Sequence, residues 1–157
     1  MLTALFLDRG LAITEESDDE EMVETRLELR IERALRVTGD QALAVELKRE
    51  TYDEGWEDDP GSLNGFAWWC FENELNLQEA EELARRGVAL SLSDTQRAQI
   101  LDTVAEIVHL RGDTAGALEL IEQARALDAE NDYYEEQLRR FTEAVAATAS
   151  GTGPASD

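Results

Sequence analysis

The chain has 157 residues, 36 acidic against 14 basic for a formal net charge of −22, and 43% of it is apolar. That apolar share suits a folded domain with a continuous core, while the excess of acid opposes any sequence-independent hold on nucleic-acid phosphates or an anionic membrane. A basic protein surface or peptide is the partner such a charge attracts, although a solvated acidic face gives the same composition.

Taken in chain order, residues 1–21 read as an N-terminal segment and acidic linker, 22–148 as a helical domain, and 149–157 as a disordered tail. The opening MLTALFLDRGLAI lacks a basic leading region, and Asp8 and Arg9 interrupt it before secretory or membrane-spanning length. The expectation is therefore a cytoplasmic protein, with residues 1–13 as a short helix over the open side of the first helical unit. The run TEESDDEE has neither the glycine nor the alternation of a calcium loop and reads as a solvated linker.

From Met22 to Thr38, Val23, Leu27, Ile31, Ala34 and Leu35 form one apolar stripe, closed by Gly39. Asp40 is placed to cap a second helix, from about Gln41 to Tyr52. A linker follows, broken at Pro60 and Gly61. The aromatic stretch LNGFAWWCFENELN predicts a third helix over Leu63 to Glu74, with Asn76 in a left-handed turn. A fourth spans Gln78 to Leu90, a fifth Thr95 to Arg111 behind a Ser93 or Asp94 cap, a sixth Thr114 to Leu127, and a seventh about Asp132 to Thr148. The tripeptide Arg111-Gly112-Asp113 is read as the turn between the fifth and sixth.

One histidine and one cysteine, with no nucleophile elbow, phosphate-cradling glycine loop or zinc motif, leave no recognisable catalytic or metal constellation. No enzyme activity, cofactor or metal is expected. Cys70 cannot make an internal disulfide and reads as a small buried hydrophobe.

The segments GDQALAVELK at Gly39 and GDTAGALELI at Gly112 align, and the small residues Ala44, Ala80 and Ala117 recur at intervals of 36 and 37. Helical hairpins at about this period, near an ideal of about 34 residues, mark stacked repeat units. On these residues the chain resembles the tetratricopeptide repeats (TPR). The best-matching unit is Ala98 to Asn131: Leu101 and Val104 at packing positions, Ala105 at the close approach, Gly112 and Asp113 in the turn, and Ala117 and Ala124 on the second helix. Ala129 stands where the family usually has proline, Trp68 where a small residue is usual, and Gly87 in place of an alanine. The chain also looks like helical modules that follow thioredoxin-like domains in some bacterial proteins, but it has no CxxC, so no redox activity carries over.

The resemblance implies an all-α, TPR-like stack of three antiparallel helical hairpins, closed by a C-terminal capping helix near Tyr133 to Phe141. It also implies a concave groove lined by the first helix of each unit. The groove would carry Arg26, Arg30 and Arg33 at one end, Trp69 with Phe66 beside it in the middle, and Asp102, Glu106 and His109 at the other. Salt bridging between neighbouring helices would produce the same charged residues. Trp68 and Phe71 are assigned to the core. The function implied is a protein-interaction adaptor or scaffold that binds a peptide or protein segment. Alternatives are a non-catalytic accessory region of a larger enzyme assembly, or a structural homo-oligomer.

Overall fold

The computed structural model describes residues 2–151, with side chains from Thr3 to Thr148. The described residues form eight α-helices and no strand: α1 Leu2–Thr14, α2 Glu20–Arg33, α3 Gln41–Arg49, α4 Pro60–Glu72, α5 Leu77–Leu90, α6 Asp94–Leu110, α7 Thr114–Leu127 and α8 Asp132–Gly151. A wide π turn, Ala34–Thr38, extends α2, and a 3-10 turn covers Trp56–Asp58. The chain divides into two compact units, Met1–Trp56 and Glu57–Asp157. That division falls inside the stretch 22–148, which the sequence presents as one domain.

In the first unit α1 and α3 each pack on α2. Leu7 and Thr14 of α1 are buried against it, and Gly10 allows the close approach: a Cβ there would lie 2.9 Å from Leu29 Cδ1. Asp19 caps α2 by accepting from the backbone N–H of Glu21 at 3.2 Å, and Glu20 and Glu21 add negative charge at the positive end of the helix. Gly39, at φ 68°, ends the π turn, and Asp40 accepts from Leu43 N–H at 3.1 Å to start α3, which buries Ala44 and Leu47.

In the second unit α4 packs on α5 and α6, α5 on α6, α6 on α7, and α7 on α8. α4 begins three residues earlier than the sequence suggests. Pro60 does not break this helix but opens it, because the missing N–H costs nothing in a first turn, and Asp59 caps it by accepting from Ser62 N–H at 2.6 Å. The same donor, with the Ser62 side chain, holds the Asp59 carboxyl below the usual carboxylate range. Asn76 takes the left-handed conformation at φ 52° ahead of α5, and Ser93 caps α6 through Gln96 N–H at 3.2 Å. α6 is the centre of this unit, with every residue from Ile100 to Val108 buried. α7 buries Ala117, Leu120, Ile121 and Ala124, and α8 buries Tyr134 and Phe141. The tail expected at 149–157 starts inside α8, and its residues 152–157 lie outside the described residues.

Gly112, between α6 and α7, sits at φ 99° with nothing within 4 Å of where a Cβ would stand, so only backbone strain opposes a side chain there. Gly112→Ala is expected to lower stability by about 1 kcal/mol in urea titrations. A change near zero would show that this turn tolerates a Cβ and is not fixed by its glycine.

Candidate functional site

The residues singled out from the sequence fall into both units. The three arginines lie on α2, spaced four and three apart, and line one cavity of about 570 Å³ between α1 and α3. α1 and α3 pack on α2 but, among the described residues, not on each other, so α2 forms the floor of an open groove. Leu11 and Ala12 enter from α1 and Leu43 and Leu47 from α3, giving apolar side chains to walls over a charged floor, and the acids Asp8, Glu15 and Asp40 line the same cavity.

The arginines differ in what they do. The Arg26 guanidinium donates from Nε to the Thr14 carbonyl oxygen at 3.0 Å and from Nη2 to the Ser17 carbonyl oxygen at 2.6 Å. Those oxygens belong to the end of α1 and the turn after it, where carbonyls have no partner within the helix. Arg26 thus ties α1 to α2. Arg33 donates to Asp8 Oδ1 at 2.8 Å in a surface pair, 41% and 54% exposed, an arrangement that contributes little stability. Arg30 is exposed at the groove and has no hydrogen-bond or ion-pair partner among the described residues. Of the three it is the one whose five donors remain open to an incoming acceptor.

The aromatic candidates separate too. Phe66 is fully buried, on the α4 stripe with Leu63, Ala67 and Cys70. It is therefore core and closed to a ligand, a correction with a simple cause: the buried stripe is centred on Leu63 and Cys70, and Phe66 stands within one turn of both. Trp69 is half-buried, its ring centroid 6.3 Å from that of Phe66. Trp68 and Phe71, expected in the core, are half-buried, their rings tilted 43° to each other with centroids 5.0 Å apart.

Asp102, Glu106 and His109 do share one face of α6, but α8 covers it. Asp102 and Glu106 are 8% and 6% exposed. Tyr133 donates from its hydroxyl to Asp102 Oδ2 at 2.9 Å, Arg140 pairs with Glu106 Oε1, and His109 Nδ1 is 3.0 Å from Thr114 Oγ1 with its ring edge-on to Phe141. The acidic residues thus hold α8 and offer no open groove surface. Burial, reinforced by the charge of Glu106, pushes the Asp102 carboxyl up to about 6, against the opposing hydrogen bond from Tyr133 and the charge of Arg140. Burial likewise raises the Tyr133 and Tyr134 hydroxyls to about 12. Asp102 Oδ1 and Gln137 Oε1 are buried with no hydrogen-bond partner among the described residues.

The sequence anticipates a helix from about Gln41 and a short helix at residues 1–13 over the first unit, but it does not show that, among the described residues, the two pack on α2 without meeting, which is what opens the groove. Tyr133, Gln137 and Arg140 also escape a reading of the sequence, although their four- and three-residue spacing marks one polar face of α8 opposite the acids of α6. Among the described residues no group of His, Cys, Asp and Glu is placed to hold a metal ion, and no helix is long and apolar enough to cross a membrane. No protein-family model matches the sequence, and no curated protein or solved structure matches it.

Proposed function

We propose that this protein is an interaction module of the tetratricopeptide-repeat kind that takes a peptide or protein segment into the groove between α1 and α3. The observation that carries this reading is the groove itself: apolar side chains over an arginine floor, with Arg30 left open. Such a site suits a segment that inserts an apolar side chain between Leu11 and Leu43 and offers a carboxylate, from a side chain or from a peptide terminus, to Arg30. The repeat reading is supported by Ala44, Ala80 and Ala117, all wholly buried, and by the packing of α4 on α6, the first helices of successive units.

Selection of a random peptide library on the purified protein tests this. Enriched peptides are expected to shift the amide resonances of Leu11, Ala34 and Leu43. Arg30→Glu is expected to weaken their binding by about tenfold or more, the scale of one lost charge-assisted contact, with melting unchanged because Arg30 is exposed. Shifts confined to other residues, or equal affinity for wild type and Arg30→Glu, would exclude the groove.

A further inference from the structure

The second surface that calls for a partner is the outer face of α1. This helix has apolar residues on all sides, the pattern of a helix covered all round. Its inner face, with Leu7 and Thr14 buried and Gly10 against Leu29, meets α2. Its outer face does not: Leu5, Phe6 and Ile13 are 68%, 75% and 71% exposed, and with Arg9 and Ala12 they fill the one-, four-, seven- and eight-residue steps of a single stripe. Three large side chains so exposed on one stripe exceed the scattered apolar residues of an ordinary surface.

Charge identifies what fits there. Arg9 lies in the middle of the stripe with no partner among the described residues, and the one acid of α1, Asp8, is held by Arg33. Immediately after the helix come Glu15, Glu16, Asp18, Asp19, Glu20 and Glu21, six acids in seven positions. A complementary surface needs an apolar stripe interrupted by a carboxylate, with basic residues beyond one end. The α1 helix of a second copy supplies neither. Antiparallel α1 helices crossing at their centres would set Arg9 against Arg9 and the acidic run against residues 1–8, which contain no Lys or Arg. A parallel pair would set the two acidic runs side by side.

We infer that the outer face of α1 docks an amphipathic helix of a different protein, one whose apolar stripe carries a carboxylate opposite Arg9 and whose end is basic. This face meets the groove at Ala12, and the two readings are told apart by Arg30→Glu, which acts on the groove, and Phe6→Asp, which acts on the outer face.

The probes are two synthetic helical peptides with a Leu/Ile stripe and a Lys/Arg-rich end, identical except for Glu or Lys at the stripe centre. Binding to the purified protein is read by fluorescence anisotropy at fixed salt. The Glu peptide is expected to bind wild type about tenfold tighter than the Lys peptide, and Arg9→Glu is expected to reverse that order. Phe6→Asp is expected to abolish binding of both while far-UV circular dichroism and melting stay as in wild type. Leu5→Gln with Ile13→Gln provides a second disruption should Phe6→Asp disturb folding. Arg30→Glu is expected to change neither affinity. Overturning results are equal affinity for the two peptides, binding that survives both disruptions, a wild-type dimer in sedimentation that Phe6→Asp dissolves, or Phe6-dependent binding to phosphatidylcholine vesicles in place of peptide.

Discussion

Phe66→Ala is expected to be the most damaging single truncation in the aromatic segment of α4, costing about 3–5 kcal/mol. The ring has no exposed surface, and it sits in the stripe by which α4 meets its neighbours, so its removal forfeits both the transfer of an aromatic side chain out of water and the contacts around the resulting cavity. Trp68, Trp69 and Phe71 are each half-buried, and truncating them forfeits less. Phe71→Ala and Trp69→Ala are expected to cost about 1–2 kcal/mol apiece, in keeping with partial burial. Urea unfolding of the three variants, followed by circular dichroism at matched slopes, checks the order. A Phe71→Ala loss larger than that of Phe66→Ala would mean that the α4 stripe is centred on the other side of the helix.

The features legible in the sequence are those decided within one helical turn. The caps by Asp40 and Ser93 and the left-handed residues Gly39, Asn76 and Gly112 follow from local hydrogen bonding and sterics, and they stand where the residue types put them. The all-helical class follows equally from apolar spacing. Pro60 shows the limit of that logic, since proline marks a break or a first turn depending on whether a cap precedes it, and here Asp59 does. The charged candidates needed tertiary information. Nothing near Arg26 reveals that its guanidinium will reach carbonyls twelve and nine residues back, and nothing near Asp102 reveals that Tyr133, thirty-one residues on, will cover it. A stripe of like charges on a helix shows a face. What that face meets is fixed by the helix packed against it.

The cover over Asp102 has a measurable consequence in the pH dependence of stability. An aspartate ordinarily ionises near 3.8, and burial raises Asp102 to about 6 in the folded protein. Below pH 3.8 the group is protonated in the folded and the unfolded protein alike, and it contributes no difference. Between that pH and about 6 the unfolded protein ionises while the folded one retains its proton, so stability falls as pH rises. Above about 6 the whole penalty is present, on the order of 2–3 kcal/mol from the size of the shift. Glu106 and Arg140 act on the same group with opposite signs, and Tyr133 donates to it throughout this range because its own hydroxyl holds its proton to about 12. Asp102→Asn keeps an oxygen to accept from Tyr133 and removes the buried charge. The variant is therefore expected to match wild type near pH 4 and to exceed it increasingly toward pH 7.5, by about 2–3 kcal/mol at the upper end. Taking the difference between the two proteins cancels the self-repulsion of a net charge of −22, which also relaxes as acids protonate. Hydrogen exchange of the α6 and α8 amides reads the effect where Tyr133 and Arg140 hold the two helices together. A difference that stays flat from pH 4 to 7.5 would show that Asp102 titrates as an ordinary surface carboxylate and that water reaches it beneath α8.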